Sequence, residues 1–328
     1  MDQQHSTLPQ CQPDVIQSTT SVLRLLNCCS AQLERLLSEL RSQSDDEPAL
    51  RANAAQVLQA LALDADIALA SIFLNRISGT YPVRHCVEAA LVAVLLARAL
   101  RQTDQQTLVV ACAALTMNVA MLAQHDSFQN QRAALTPAEL DAMQRHPENG
   151  AELLLGAGVR DPAWISSVLQ HHENDDGSGY PDGKTGADIT PSARMIGLAD
   201  RYCAMVSARN YRHSMLPDQA LHALLLPGAG VAPEMARQLI AELGPYPPGT
   251  LVRLRNGEVG VVSRRQVPQQ GILVHVLLGP HGAATATVEG DYVRDTAQAQ
   301  YGIAEALHED EVPVRFSMQQ IWGDQARL

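Results

Sequence analysis

Aromatic residues are scarce in this 328-residue chain, at 4% of the sequence, with two tryptophans and three phenylalanines. A core of useful size must then be built from Leu, Ala and Val, within a hydrophobic fraction of 46%. Ala and Leu are strong helix formers, so the shortage of rings tilts the expected fold toward helix. Lysine is all but absent. Lys184 is the only one, and nearly all positive charge is guanidinium. The formal net charge is −11. That balance argues against binding to DNA or to an anionic membrane, and leaves room for a local arginine cluster on a small anion. No long uncharged apolar run stands out. Val87 to Leu100 carries Glu88 and Arg98 and is too short to cross a bilayer, so no membrane span is expected. The six cysteines, at 11, 28, 29, 86, 112 and 203, lack metal-type spacing and read as reduced thiols. The polar start, Met1 to His5, has no basic-then-apolar signal. Both features point to a cytoplasmic chain.

What is present centres on His171 to Gly183, which reads His-His-Glu-Asn-Asp-Asp-Gly-Ser-Gly-Tyr-Pro-Asp-Gly. Two adjacent imidazoles close a helical pattern, and an acidic, glycine-rich loop follows. A helix end holds ligands still, and glycines let backbone and ligand approach closely. Pro181 stiffens the middle of the loop. An isolated His-His-Glu would be a solvated helix end. Thirteen residues of this composition are more than that.

Along the chain, residues 1 to about 14 read as an unstructured leader. Val15 to Leu40 has helical spacing, and further helices are expected over Pro48 to Leu63 and Asp66 to Ile77. This stretch, 1–78, carries no chemical motif and reads as a helical sensory or dimerisation region, its first amphipathic helix being the partner surface. Residues 79–245 follow as a run of helices. Val83 to Leu100 opens with His85, and Thr107 to Leu122 comes next. Thr136-Pro137-Ala138-Glu139 is a capping box with proline in the first turn. The helix it starts is expected to end near His146-Pro147-Glu148-Asn149-Gly150. Asp161-Pro162 starts the helix that delivers His171 and His172, and Thr190-Pro191 the one that carries Asp200. Gly244 looks like a helix stop. From 246 to 300 the pattern changes to a small β appendage. Thr250 to Arg255 and Glu258 to Arg264 alternate around an Asn256-Gly257 turn. Ile272 to Leu278 and Thr285 to Val288 are further strand candidates. Residues 301–328 give weak helix signals and read as a peripheral tail.

The segment from His171 to Gly183 closely resembles the signature of the HD-GYP family, without a gap. The resemblance implies a mainly α fold, an HD-domain-type helical bundle. It also implies a bacterial, metal-dependent phosphodiesterase that opens cyclic di-GMP. By the same resemblance the metal ligands would be His85, His146, His171, His172 and Asp200, and the ion iron, manganese or zinc. Arg209 and Arg212 would meet substrate phosphates, with Tyr180 also at the substrate. The loop Gly179-Tyr180-Pro181 would contact GGDEF-domain cyclases. The other half of the family word is altered. Where the family has His-Asp-Ile-Gly-Lys, this chain has Met117-Asn118-Val119-Ala120-Met121, and Cys203 replaces a second family aspartate. The family glutamate that supports a third metal falls at Tyr81, so a trinuclear site is not expected. Asn118 offers no negative charge to join two cations, and the Met117 thioether suits these metals poorly. His125-Asp126 is a literal His-Asp pair eight residues late, about 12 Å of helical rise away.

Three readings follow from these residues. The first is a degenerate member with at most one divalent ion, which binds cyclic di-GMP or a partner and cuts weakly or not at all. The second is a working phosphodiesterase that uses one metal or the His125-Asp126 pair, and yields the linear dinucleotide or GMP. The third is a structural dimerisation module, a homodimer through the N-terminal helices, whose HD-GYP half is vestigial. Chelator-sensitive turnover would select the second. A tight dimer that binds neither metal nor nucleotide would select the third.

Overall fold

The computed structural model describes residues 21–40, 44–122, 136–207, 214–266, 270–284 and 292–328. Helices dominate. They are α1 (Val22–Glu39), α2 (Glu47–Phe73), α3 (Tyr81–Ala99), α4 (Asp104–Thr116), α5 (Pro137–Gly156) and α6 (Pro162–Gln170). α7 (Pro191–Val206), α8 (Pro217–Ala223) and α9 (Pro233–Leu243) follow, and α10 (Met318–Trp322) lies near the C-terminus. The expected capping boxes and proline starts are present. The Thr136 amide donates to Glu139 Oε2 at 2.7 Å, and the Glu139 amide returns a bond to Thr136 Oγ1 at 3.3 Å.

α3 is the central element. From Cys86 to Ala97 every residue is buried, because α3 is enclosed by α2, α4 and α7. A helix that is apolar all round is stable only in such a position. α1 is the opposite case, with one apolar stripe. Val22, Leu23, Leu26, Leu33 and Leu37 lie on it, and α2 and the C-terminal segment cover it. The stripe expected to serve as a dimer surface is therefore used within the chain.

α2 is by length and apolarity alone able to cross a bilayer, but half of its most apolar window is buried inside the fold. It is also two helices in one run, as the sequence pattern requires. Asp64 leaves helical geometry, with φ −162° and ψ 105°. Its carboxylate accepts the Asp66 and Ile67 amides at 3.0 and 3.1 Å, so the break is also the N-cap of the second half.

Five antiparallel strands form one sheet in the order β4-β3-β2-β1-β5. They are β1 (Leu251–Leu254), β2 (Val259–Arg264), β3 (Leu273–Leu278), β4 (Val293–Asp295) and β5 (Ile303–Leu307). The Asn256-Gly257 turn joins β1 to β2, with Gly257 at φ 89°. The strand expected over 285–288 lies outside the described residues. β4 is too short to show alternation. β5 reads Ile-Ala-Glu-Ala-Leu, a helix-forming composition that pairing with β1 overrides.

The sheet is anchored by charge and by the end of the chain. Arg264 Nη1 meets Asp64 Oδ2 at 2.6 Å, and Arg265 bridges Asp66 at 2.7 Å and Glu242 at 2.8 Å. These pairs join β2 to α2 and α9. Residues after 300, expected at the periphery, take part in the core. Trp322 is buried and donates its indole N–H to the Ser263 carbonyl at 2.8 Å. The Ser21 hydroxyl donates to the Gln325 and Arg327 carbonyls. Trp322→Ala should lower unfolding free energy by about 3–5 kcal/mol, read by urea denaturation. A loss below about 1 kcal/mol would show that the C-terminal segment is not part of the core.

Candidate metal centre

α5 and α6 lie side by side and present three imidazoles. His146 comes from the interior of α5, and His171 and His172 from the end of α6. One ring nitrogen from each lies within 4.8 Å of the others. His146 Nε2 and His171 Nε2 are 3.1 Å apart. Two of the three rings are held from behind. His146 Nδ1 is 2.6 Å from the Met143 carbonyl, and His171 Nδ1 is 2.6 Å from the Val168 carbonyl. A carbonyl only accepts, so both Nδ1 atoms carry hydrogen and both Nε2 atoms present lone pairs. Two lone pairs at this distance repel unless a cation or a proton lies between them.

The residues fit a metal. Two imidazoles on a tetrahedral zinc, with Zn–N near 2.05 Å, sit about 3.3 Å apart. The His-N–H···O=C backing is the usual support of a metal-bound imidazole. Burial pushes His171 below its ordinary value against the pull of Asp200 and the Val168 bond. Desolvation, and then the neighbouring His171, push His172 further down. Neutral imidazoles are the metal-ligating form.

His85 and Asp200 form the second part of the site. They are buried, come from α3 and α7, and meet directly, His85 Nε2 to Asp200 Oδ1 at 2.7 Å. Burial alone would raise the Asp200 carboxyl. The His85 hydrogen bond and charge, with His172 and His171 beyond, hold it far below the ordinary carboxylate range. Tyr81, where a trinuclear site would need a carboxylate, stacks on His85 with centroids 5.8 Å apart.

Met117 and Asn118 fall where α4 gives way to a 3-10 turn, Val119–Met121. Met117 is fully buried in the apolar core. Asn118 lies beside the Cys86 thiol, which burial pushes up to about 12. Met117 serves packing. Cys203, also buried, is near Glu88 and Asp200. Arg209, Arg212 and His125-Asp126 lie outside the described residues.

The loop closes over the triad. Tyr180 stacks on His172, centroids 4.7 Å apart and planes 28° apart, and its amide reaches the His172 carbonyl at 3.2 Å. Burial raises the Tyr180 phenol. Gly179 is there because nothing larger fits: a Cβ would lie 2.4 Å from the Asn174 nitrogen and the His172 oxygen. Pro181 follows at the turn.

Sequence reasoning assigned no role to several residues that build this geometry. Glu173 is buried and accepts the Asp182 and Lys184 amides at 2.8 and 2.9 Å, closing the loop on itself. Arg201 reaches from α7 to the Asn174 side chain and the Ala229 carbonyl. Gly197 lets α7 touch the end of α6, since a Cβ there would lie 2.3 Å from the His171 oxygen. A lone glycine in mid-helix was the available signal for it. α5 does not end near His146-Pro147-Glu148-Asn149-Gly150 as expected; it runs on to Gly156 with Pro147 inside. Packing on both sides holds the helix through a residue that normally ends one.

Three comparisons bear on this geometry. Residues 38–228, more than half of the chain, match the family described as HD domain. The cyclic di-GMP phosphodiesterase PA4108 of Pseudomonas aeruginosa is 32% identical over 60% of this chain and 47% of its own length. The cyclic di-GMP phosphodiesterase response regulator RpfG of Xanthomonas campestris pv. campestris is 38% identical over 40% of this chain and 35% of its own. The chain thus spans less than half the length of these curated relatives. Among solved structures, Bd1817, a HDG"Y"P protein from Bdellovibrio bacteriovorus, shares the fold. Its TM-score is 0.53 at 20% identity, covering 66% of this chain and 69% of that one.

Gly197→Ala should push α7 from the His171 backbone and cost about 1–3 kcal/mol. It should also weaken uptake of Zn2+ by the purified chain. Unchanged melting and unchanged Zn2+ affinity would show that α7 does not hold the triad in place.

Proposed function

This chain belongs to the HD-domain family, in its HD-GYP branch, and from that premise we propose that it binds cyclic di-GMP and at most one divalent ion, with cleavage weak or absent. One observation carries the reading. The three imidazoles of α5 and α6 converge on one point, while His85 and Asp200 meet at 2.7 Å and the residue beside buried Met117 is the uncharged Asn118. A two-metal centre uses ions about 3.5–4 Å apart and needs charge to join them. Asn118 carries none. Among the described residues, the triad is the one His/Cys/Asp/Glu group of three or more with ligand atoms this close.

His146, His171 and His172 would hold the ion, as three-histidine sites do for zinc. An ion so held lowers the pKa of a bound water and polarises a phosphoryl oxygen. The chain's own groups then orient and enclose. Tyr180 shields one face of His172, and Glu173 keeps the loop closed. Arg201, on the other side, ties that loop to the segment before α9. Arg209 and Arg212, outside the described residues, are of the side-chain type that grips phosphate bidentately, and are proposed for that role. The rim of the loop, with Ser178 and Asp182 exposed, is the surface proposed for a GGDEF-domain partner. Cys29, Cys86, Cys112 and Cys203 are free and buried, whereas Cys28 is disulfide-bonded, which corrects the expectation of six reduced thiols; the cytoplasmic setting is proposed without support from the cysteines.

Metal analysis of the purified chain should find no more than one ion per chain. Calorimetry should show cyclic di-GMP binding without brisk turnover. Met117→His with Asn118→Asp should gain chelator-sensitive cleavage, at a stability cost of about 1–3 kcal/mol for placing polar groups in a packed joint. Two tightly held ions per chain, or rapid chelator-sensitive cleavage by the natural sequence, would overturn this reading.

A further inference from the structure

We propose that Pro147 is a positioning residue for His146, acting through the Met143 carbonyl. The inference rests on the triad as the metal-binding site and adds how one of its imidazoles is oriented.

In an α-helix each carbonyl accepts from the amide four residues later. The donor for the Met143 carbonyl would be residue 147. Proline has no N–H, so α5, which continues through Pro147, leaves that carbonyl without its helical donor. It accepts instead from His146 Nδ1 at 2.6 Å. That bond places hydrogen on Nδ1 and turns the Nε2 lone pair toward His171 Nε2, 3.1 Å away.

His171 uses the same geometry by a different route. Its Nδ1 reaches the carbonyl three residues back, Val168, also at 2.6 Å. Val168 lies in the last turn of α6, where carbonyls lack intrahelical donors. One helix frees the carbonyl by ending and the other by carrying proline. His146 cannot use the first route, because α5 must run on for its later turns to pack, with Ala151 and Leu154 buried. An interior proline is otherwise among the most destabilising residues a helix can hold. Its place one residue after a metal-facing imidazole is explained by the carbonyl that it releases.

The experiment compares the full chain with Pro147→Ala, Pro147→Ser and the exposed control Glu148→Ala. Long-range 15N imidazole spectra of the metal-free proteins read the His146 tautomer. Zn2+ titration against a competing chelator reads affinity. Both Pro147 variants restore the amide. They should melt no lower than wild type, lose the uniform Nδ1–H form at His146, and bind Zn2+ about 10-fold or more weakly. Glu148→Ala should match wild type. An unchanged tautomer and unchanged Zn2+ affinity in both Pro147 variants would overturn the inference. So would melting far below wild type in both, which would make Pro147 a packing residue. If the wild-type chain takes up no Zn2+, the metal reading fails on its own, and the tautomer spectra still decide the role of Pro147.

Discussion

Two buried imidazole lone pairs facing each other at 3.1 Å are unfavourable unless something positive lies between them. Burial disfavours an added proton on His171. The fold holds both rings in a pose that a cation between them would satisfy, with a backbone carbonyl behind each. α5 and α6 are pinned to each other, α7 is brought in by Gly197, and the loop from Glu173 to Lys184 is closed by a carboxylate that accepts two amides. The rest of the helical domain is the frame for this one arrangement.

The two sides of the site differ in kind. On the α5–α6 side the polar atoms are organised around a point that they do not fill. On the α3–α7 side they satisfy one another. Asp200 is paired with His85. The position preceding Asn118 is a methionine packed in apolar surroundings. A buried carboxylate and imidazole that meet stabilise each other in a low dielectric. What bears on a second cation is the chemistry of Asn118, which carries no charge with which to join two ions.

Much of the fold was legible residue by residue. Helix starts were plain wherever a capping residue preceded proline, as at Thr136-Pro137, Asp161-Pro162 and Thr190-Pro191. These signals are local, and the structure contains all three. The break in α2 was visible because Asp64 interrupts an apolar period. The failures were places where distant pairing overrides local preference. β5 has helix-forming residues and is a strand because β1 offers an edge. The C-terminal segment has weak periodicity and is ordered because Trp322 finds a space beside β2. α5 continues through Pro147 because its later turns are held by packing. The apolar stripe of α1 was visible, but its partner was not, and the partner proved to be α2 and the chain's own C-terminus.

By itself the sequence determined the helical class, the small β unit, the ligand types and the altered Met117-Asn118 joint. Each of these depends on composition or on spacing within a few residues. Only the tertiary structure decided which nitrogen of His146 and of His171 faces the site, and that His85 and Asp200 meet directly. Those outcomes depend on which carbonyls are free and which helices touch, at separations of 25 residues for His146 and His171 and 115 for His85 and Asp200. A linear pattern carries no record of such contacts until the chain has packed.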